Sequence, residues 1–519
     1  MELEEDHLSC LPKIILHCIL SKLPEKERTR TSVLSKAWLD TWYTFPILYF
    51  HSNQIIGMSP PPMEDSVRKR KILEFGDYVK RRMLMFRDQS LAIKKFRLNL
   101  NGFVVRYMSK DVDNWLKLAC ECGVEVIQYS QQILEGQEQY HVLPISVIEA
   151  KSLTKLVLQG NIKIDPVFMN YSIKFFSLRE LSLTRVLFGD EHAINQLISF
   201  CPLIEYITLD LCEVLSSGGG TRYMEYVSIS GLQNLKSVDV SAIQDVSIDA
   251  SSLENFCYNT KNYGAPSKID FDRCRNLKEL YLWSVESTST NKWFLELFPK
   301  FPFLESLKLN NCKMPKKIDI SSVRLKRLEF MHSSNLKELN IDSPNLISFG
   351  YSGWGASEPT ISFLKNSSQL EARIHIAVEY KDLCNLREFV QNIKPNNVLP
   401  SLSVAIAESY VDALGLVVSS PPPNIKKIGH ARLRNMGFDL FKFSKTFIEI
   451  FYETLMRKKD DCFCISAEIK CWWHDLKDVK VISSKKIDEN VCFNTILDSS
   501  PAYAPKFAHQ TNITFRLEF

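Results

Sequence analysis

Few residues of this 519-residue chain are of a type and spacing that could do chemistry. Cys462-x-Cys464 with Cys471 and His474 is the best metal candidate. Structural zinc needs four thiolate or imidazole ligands converging on one point. Cys462 and Cys464 would share a strand face, but Cys471 and His474 fall on opposite faces of an extended segment. Buried free cysteines beside an exposed histidine are the simpler reading, so neither metal nor cofactor is expected. Cys120-x-Cys122 has no second pair nearby. Gly218-Gly219-Gly220 lacks the Lys-Ser or Lys-Thr pair and following helix of a phosphate cradle, and reads as a loop. No nucleophile elbow, H-E-x-x-H or P-loop occurs, so no catalytic residue is assigned. Arg68-Lys69-Arg70-Lys71 and Lys80-Arg81-Arg82 are read as the solvated face of a helix whose other face is Ile72, Phe75 and Val79.

Composition narrows the classes further. The chain is 45% hydrophobic and 24% charged, with a net charge of +4, which makes no case for nucleic acid or a membrane surface as partner. The start, MELEEDHLSC, lacks the basic and apolar regions of a signal peptide, and runs such as Ile14-Ile15-Leu16 are too short to cross a bilayer. Fourteen cysteines without an export signal imply reduced thiols, hence cytoplasm and/or nucleus. The acceptor patterns at Asn170, Asn366 and Asn512 are then chance.

The elements that carry information are recognition surfaces. Residues 6–38 hold Leu11-Pro12 and Leu23-Pro24, with Ile15, Leu16, Ile19, Leu20 and Leu23 as the stripe of a short helix between them. Pro12 suits the first turn of that helix and Pro24 closes it. Ser35 is placed to cap a third short helix containing Trp38. So small a block cannot bury this apolar surface alone. The surplus must be covered by the rest of the chain or by another protein.

A breaker cluster, Ser59-Pro60-Pro61-Pro62, precedes a charged helix over 66–88. A strand is expected from Ile93, a helix over Val112–Cys122 and a strand over Val124–Tyr129. Past residue 150 the pattern L-x-x-L-x-L recurs with its first position at Leu153, Leu178, Ile204, Leu235, Leu253, Leu277, Leu304, Leu325 and Leu346. These spacings bracket the leucine-rich repeat period of about 20–29 residues. The fourth and sixth positions of each copy enter one core, and the copies stack as a curved solenoid. Cys212 and Cys312 occupy the Asn/Cys position of the full repeat. An extra apolar strand, as at Asn335–Ile341, is read as the opposite side of the solenoid. Beyond residue 360 the signal fades. Helices are expected over Tyr380–Ile393 and Phe438–Lys458, and strands over Leu402–Ile406, Ile425–Leu433 and near Val481.

Residues 6–45 resemble the F-box of plant F-box proteins, with L-P, I-L, I-L-S, L-P, R-T-S-V-L-S-K and W in order. Cys201-Pro202 and Asn276-Leu277-Lys278-Glu279-Leu280 are similar to plant F-box/leucine-rich-repeat proteins. Lys13, Arg28, Thr29 and Ala37 depart from the usual pattern. The resemblance implies an α/β chain: a three-helix F-box over 5–50, a linker and helical connection over 51–90, a curved, irregular leucine-rich-repeat solenoid over 91–410, and divergent C-terminal repeats or a cap over 411–519. It also implies a non-catalytic substrate receptor whose F-box docks a Skp-type adaptor and, through it, cullin and RING subunits. The adaptor-binding residues would be Leu11, Pro12, Ile15, Leu16, Ile19, Leu20, Leu23, Pro24, Val33, Leu34, Ser35 and Trp38. An unknown target protein would be held by the repeats, where residues between the leucines face outward: Glu279, Tyr281 and Trp283 in one copy, Ser306, Lys308 and Asn310 in the next. The alternative is a repeat scaffold with no part in ubiquitin transfer.

Overall fold

The computed structural model describes residues 10–56, 65–132, 140–165, 175–216, 220–261, 268–285, 290–332, 335–353, 359–365, 367 and 369–377, and beyond these the strands at 393–395, 401–407, 427–433, 478–483 and 513–518. The chain divides into two compact units, Met1–Ser252 with Lys268–Arg273, and Leu253–Ser267 with Cys274–Phe519.

Each unit is built from the same short parallel strand. In the first unit Ile47–His51, Lys95–Asn101, Val126–Gln132, Lys155–Ile164, Glu180–Phe188, Tyr206–Asp210 and Ser237–Ser241 pair in that order. In the second, Asn255–Asn259, Glu279–Trp283, Ser306–Asn310, Arg327–Met331, Ser348–Gly353, Glu371–Ala377 and Ser401–Ala407 do the same. Register follows the leucines: Leu280 pairs Leu307, Leu307 pairs Leu328, and Leu328 pairs Phe349. In all nine copies read from the sequence the three apolar positions are at most 3% exposed. Full burial of each such side chain is worth about 1.5–3 kcal/mol, which is why spacing and not residue identity sets the repeat. A second parallel ladder runs through Lys317–Ser321, Glu338–Asp342, Thr360–Lys365 and Ile393–Pro395. It contains the extra strand expected near Asn335–Ile341. The first unit has a shorter counterpart, Tyr226–Ser230, Asp245–Asp249 and Lys268–Asp270.

Two devices set the ends of the strands. The residue preceding a strand and the strand's first residue both donate to one carbonyl of the preceding copy, as Glu305 and Ser306 do to Lys278 O at 2.8 and 3.0 Å. Past the other end the chain turns through the left-handed region at Leu211, Ala242, Ser284, Asn311 and His332, and in the two longer strands Lys155–Ile164 and Glu180–Phe188 it does so midway, at Gly160 and Arg185. Gly160 is the position where this demands glycine. Its φ is +100°, and a Cβ there would lie 2.1 Å from Gln131 O.

The structure revises several boundaries. The stacking begins well before residue 150: Phe45, Leu48 and Phe50, then Ile93, Phe96 and Leu98, then Val124, Ile127 and Tyr129 fill the same three positions. Strand Ile47–His51 therefore joins the helical block directly to the sheet. The helix expected at Val112 starts at Gly102, because Asn101 caps it through Phe103 N. The run 66–88 is helical over Asp65–Asp88 as expected, but Arg82 is 7% exposed and not part of a solvated face. At the C-terminal end, Lys427–Leu433, Asp478–Ser483 and Ile513–Glu518 pair antiparallel, a departure from the parallel repeat. Both helices expected beyond residue 379, apart from Ile393, which opens the strand Ile393–Pro395, lie outside the described residues, as do the Cys462–His474 group and most of the glycine run. Among the described residues no helix is long and apolar enough to cross a membrane.

Candidate functional site

The N-terminal block consists of α1 (Lys13–Lys22), α2 (Glu25–Thr31) and α3 (Lys36–Tyr43). Both Leu-Pro pairs start helices. Pro12 O accepts from Ile15 N and Leu16 N, and Pro24 O from Arg28 N. Pro24 thus opens α2 as well as ending α1. Ser35 caps α3, its Oγ accepting from Trp38 N at 3.3 Å. The block has a core of its own, made of Leu16, Leu20, Trp38 and Phe45, with Leu11, Ile19, Leu23, Trp42 and Ile47 packed against it.

That core sorts the expected docking residues into three groups, buried, half-buried and exposed. Leu16, Leu20 and Trp38 are 2%, 0% and 4% exposed, so they shape the block instead of offering surface. Leu11, Ile19 and Leu23 are half-buried against them, and Ser35 is engaged as the cap. Pro12 and Pro24 are exposed helix starters. Ile15, Val33 and Leu34 project into solvent, at 44%, 83% and 66% exposure, together with Ile14 at 73%, which the sequence reading left out. Aliphatic surface of this kind, presented by a helix and the turn before α3, is what a partner interface is built from.

Two of the departures from the family pattern have partners. Lys13 Nζ pairs with Asp40 Oδ2 at 2.8 Å, tying α1 to α3, although an exposed pair of this kind contributes about 0–1 kcal/mol. The Arg28 guanidinium lies over the Phe45 ring, 5.4 Å from its centroid. His17 sits between α1 and α3, with Nε2 3.2 Å from Thr41 O and 3.3 Å from Thr44 Oγ1. Burial lowers its pKa below the ordinary 6.5.

A long helix after the block, following the single turn α4 (Asn53–Ile56), is α5 (Asp65–Asp88). Its Arg82 donates from Nη2 to Trp42 O at 2.6 Å and stacks over Trp42, Tyr43 and Phe86. Burial pulls its pKa down to about 10. The C-terminal end of α3 is thereby fastened to the first layer of the repeats. Sequence reasoning missed this role, although Arg82 lies three residues after Val79 and one before Met83, on the apolar side of α5.

In the second unit the six expected target residues lie on two adjacent strands, Glu279 beside Ser306, Tyr281 beside Lys308 and Trp283 beside Asn310. Ser306 is buried at 2%, covered by Arg327, whose Nε donates to Ser306 Oγ at 3.3 Å. It cannot meet a partner directly. Glu279 is exposed and pairs with Arg327, and Lys308 pairs with Glu329 at 3.2 Å. Asn310 Nδ2 reaches Tyr281 Oη at 3.4 Å, and the Tyr281 and Trp283 rings lie 6.3 Å apart. Both aromatics are half-buried. Cys212 and Cys312 are buried, donating to Leu183 O and Leu282 O, and burial pushes the Cys212 thiol up to about 12. They are packing residues. No cluster of metal-ligating side chains occurs among the described residues.

Comparison with known proteins agrees with this architecture. The F-box domain family matches residues 8–49. The LRR repeats of FBD-associated F-box protein At5g56370 match residues 112–270, and the LRR domain of At1g61320/AtMIF1 matches residues 263–396. Among Arabidopsis thaliana proteins, an F-box/FBD/LRR-repeat protein, At2g05300, is 28% identical over 40% of this chain and 42% of its own length. A second, At5g62970, is 29% identical over 46% and 53%. The FBD-associated F-box protein At4g10400 is 26% identical over 53% and 61%. The chain thus matches about half the length of these relatives. It carries an N-terminal F-box followed by leucine-rich repeats, the architecture of the plant F-box/leucine-rich-repeat proteins it resembles.

Proposed function

We propose that this protein is the non-catalytic target receptor of a Skp–cullin–F-box ubiquitin ligase. The observation that carries the reading is the exposure of Ile14, Ile15, Val33 and Leu34 on a block whose own core is already complete. Water-exposed aliphatic side chains on a preformed helical surface favour docking onto an apolar groove of an adaptor. The adaptor would bring cullin and RING subunits, and catalysis would come from holding target lysines near a ubiquitin-charged enzyme. The face bearing Glu279, Tyr281, Trp283, Lys308 and Asn310 is the proposed target surface, with Ser306 supporting it through Arg327. Exposed Cys10 and Cys18 suit a reducing compartment, cytoplasm or nucleus. The test is co-elution of the full chain with a purified plant Skp-type adaptor in size-exclusion chromatography. A stoichiometric complex is expected. Separate elution at micromolar concentrations of a well-folded chain would leave the scaffold alternative standing.

A further inference from the structure

Charges on the repeat strands are mostly balanced. Lys155 pairs with Glu180, Arg327 with Glu279, and Lys308 with Glu329. The strand Lys95–Asn101 breaks this balance. The side chains of its outward cations Lys95 and Arg97 make no hydrogen bond or ion pair among the described residues. By register their neighbours across the sheet are uncharged, Ile47 and Tyr49 on one side and Val126 and Gln128 on the other. Nε of Arg97 is shielded from water with no acceptor. One strand beyond Val126 stands Lys155, whose partner Glu180 is the carboxylate paired within this group. Three cations against one carboxylate leave a local charge of about +2. Burial, followed by Arg97 and Lys155, depresses the pKa of Lys95.

Strand geometry sets the spacing. Lys95 and Arg97 are about 6.6 Å apart along one strand, and Lys95 and Lys155 about 9.6 Å apart across two strand intervals. Long side chains from such positions can converge on one tetrahedral anion. A single carboxylate would leave charge over, whereas a phosphomonoester at −1.5 to −2 matches it, and a guanidinium offers the paired donors that phosphate oxygens take. Polynucleotide would need a continued stripe of cations. Here the surrounding positions are Tyr49, Gln128, Ser130 and Val157, all half-exposed. Aromatic, amide and aliphatic contacts of that kind suit the flanks of a peptide.

We propose that the face formed by Lys95, Arg97 and Lys155 binds a phosphorylated segment of a partner protein, with Arg97 contacting the phosphate. This rests on the reading of the chain as a target receptor, but adaptor co-elution tests that reading separately. The experiment is fluorescence polarisation of the full chain with labelled degenerate peptide pools carrying a central phosphoserine, serine or glutamate, with thermal melting of every variant. Expected are preference for the phosphoserine pool, weakening with salt, and at least tenfold weaker binding for both Arg97→Gln and Lys95→Gln, with Lys326→Gln unchanged. Melting of Arg97→Gln should stay level or rise, because a like-charge cluster loses a member, whereas a purely structural arginine would lower it. Equal binding of the three pools, unchanged binding in both variants, or displacement by inorganic phosphate as strong as by phosphopeptide would overturn the proposal.

Discussion

Replacing Val33 and Leu34 together by alanine separates docking from folding in the N-terminal block. The two side chains are 83% and 66% exposed, so the folded chain alone draws little stability from them. Full burial of a valine or leucine is worth about 1.5–3 kcal/mol. With those exposed fractions and the methyl that alanine retains, an adaptor covering both would lose about 2–4 kcal/mol. At 1.4 kcal/mol per tenfold, that weakens Kd by roughly 30- to 700-fold. Unfolding free energy should move by no more than about 0.5 kcal/mol per site. Leu16→Ala makes the counter-experiment, because Leu16 is 2% exposed in the core with Leu20, Trp38 and Phe45. It should cost about 2–5 kcal/mol of stability and affect binding only through unfolding. Calorimetric titration of each full-length variant with a purified Skp-type adaptor, beside urea denaturation, reads both quantities. A Kd within threefold of the parent for the double variant would refute the assignment of this surface.

Three other outcomes follow from the packing. Gly160→Ala should destabilise the first unit by about 2–4 kcal/mol, since the added Cβ meets Gln131 O at 2.1 Å and φ is +100°; Gly231→Ala, with φ +74° and open space around it, should cost about 1 kcal/mol in the same denaturation assay. Arg82→Met removes a charged donor from Trp42 O and should lower stability by about 1–3 kcal/mol while leaving adaptor affinity per folded molecule unchanged. Because burial holds the His17 pKa below 6.5, the unfolded chain takes up the proton more readily; stability is full above pH 6.5 and falls as pH drops below it, a slope that His17→Asn should reduce in melting curves.

The repeat was legible because its signal is burial with period two, and Leu156, Leu181, Ile207, Leu280, Leu307 and Leu328 are all at most 1% exposed. Its first copies were not recognised as repeats because α5 and the helix Gly102–Glu121 stretch the intervals at Phe45, Ile93 and Val124. The left-handed turns were invisible, since Arg185, Leu211, Ala242 and His332 take positive φ without a glycine to signal it. In the helical block the apolar stripe was legible but its direction was not. Whether Leu16 or Ile15 faces inward depends on where Trp38 and Phe45 arrive from α3 and the segment after it. The alternating charges before successive strands, Arg179, Glu205 and Lys236, stood in the sequence unread, because their pairing needs the register that only the sheet supplies.

The most direct measurement is amide hydrogen exchange of the full chain with and without saturating Skp-type adaptor. Docking through the surface argued here predicts new protection confined to residues 12–20 and 30–36, with the strands Glu279–Trp283 and Ser306–Asn310 unchanged. Protection appearing on those repeat strands with none in the helical block, or no change anywhere at saturation, would contradict the account.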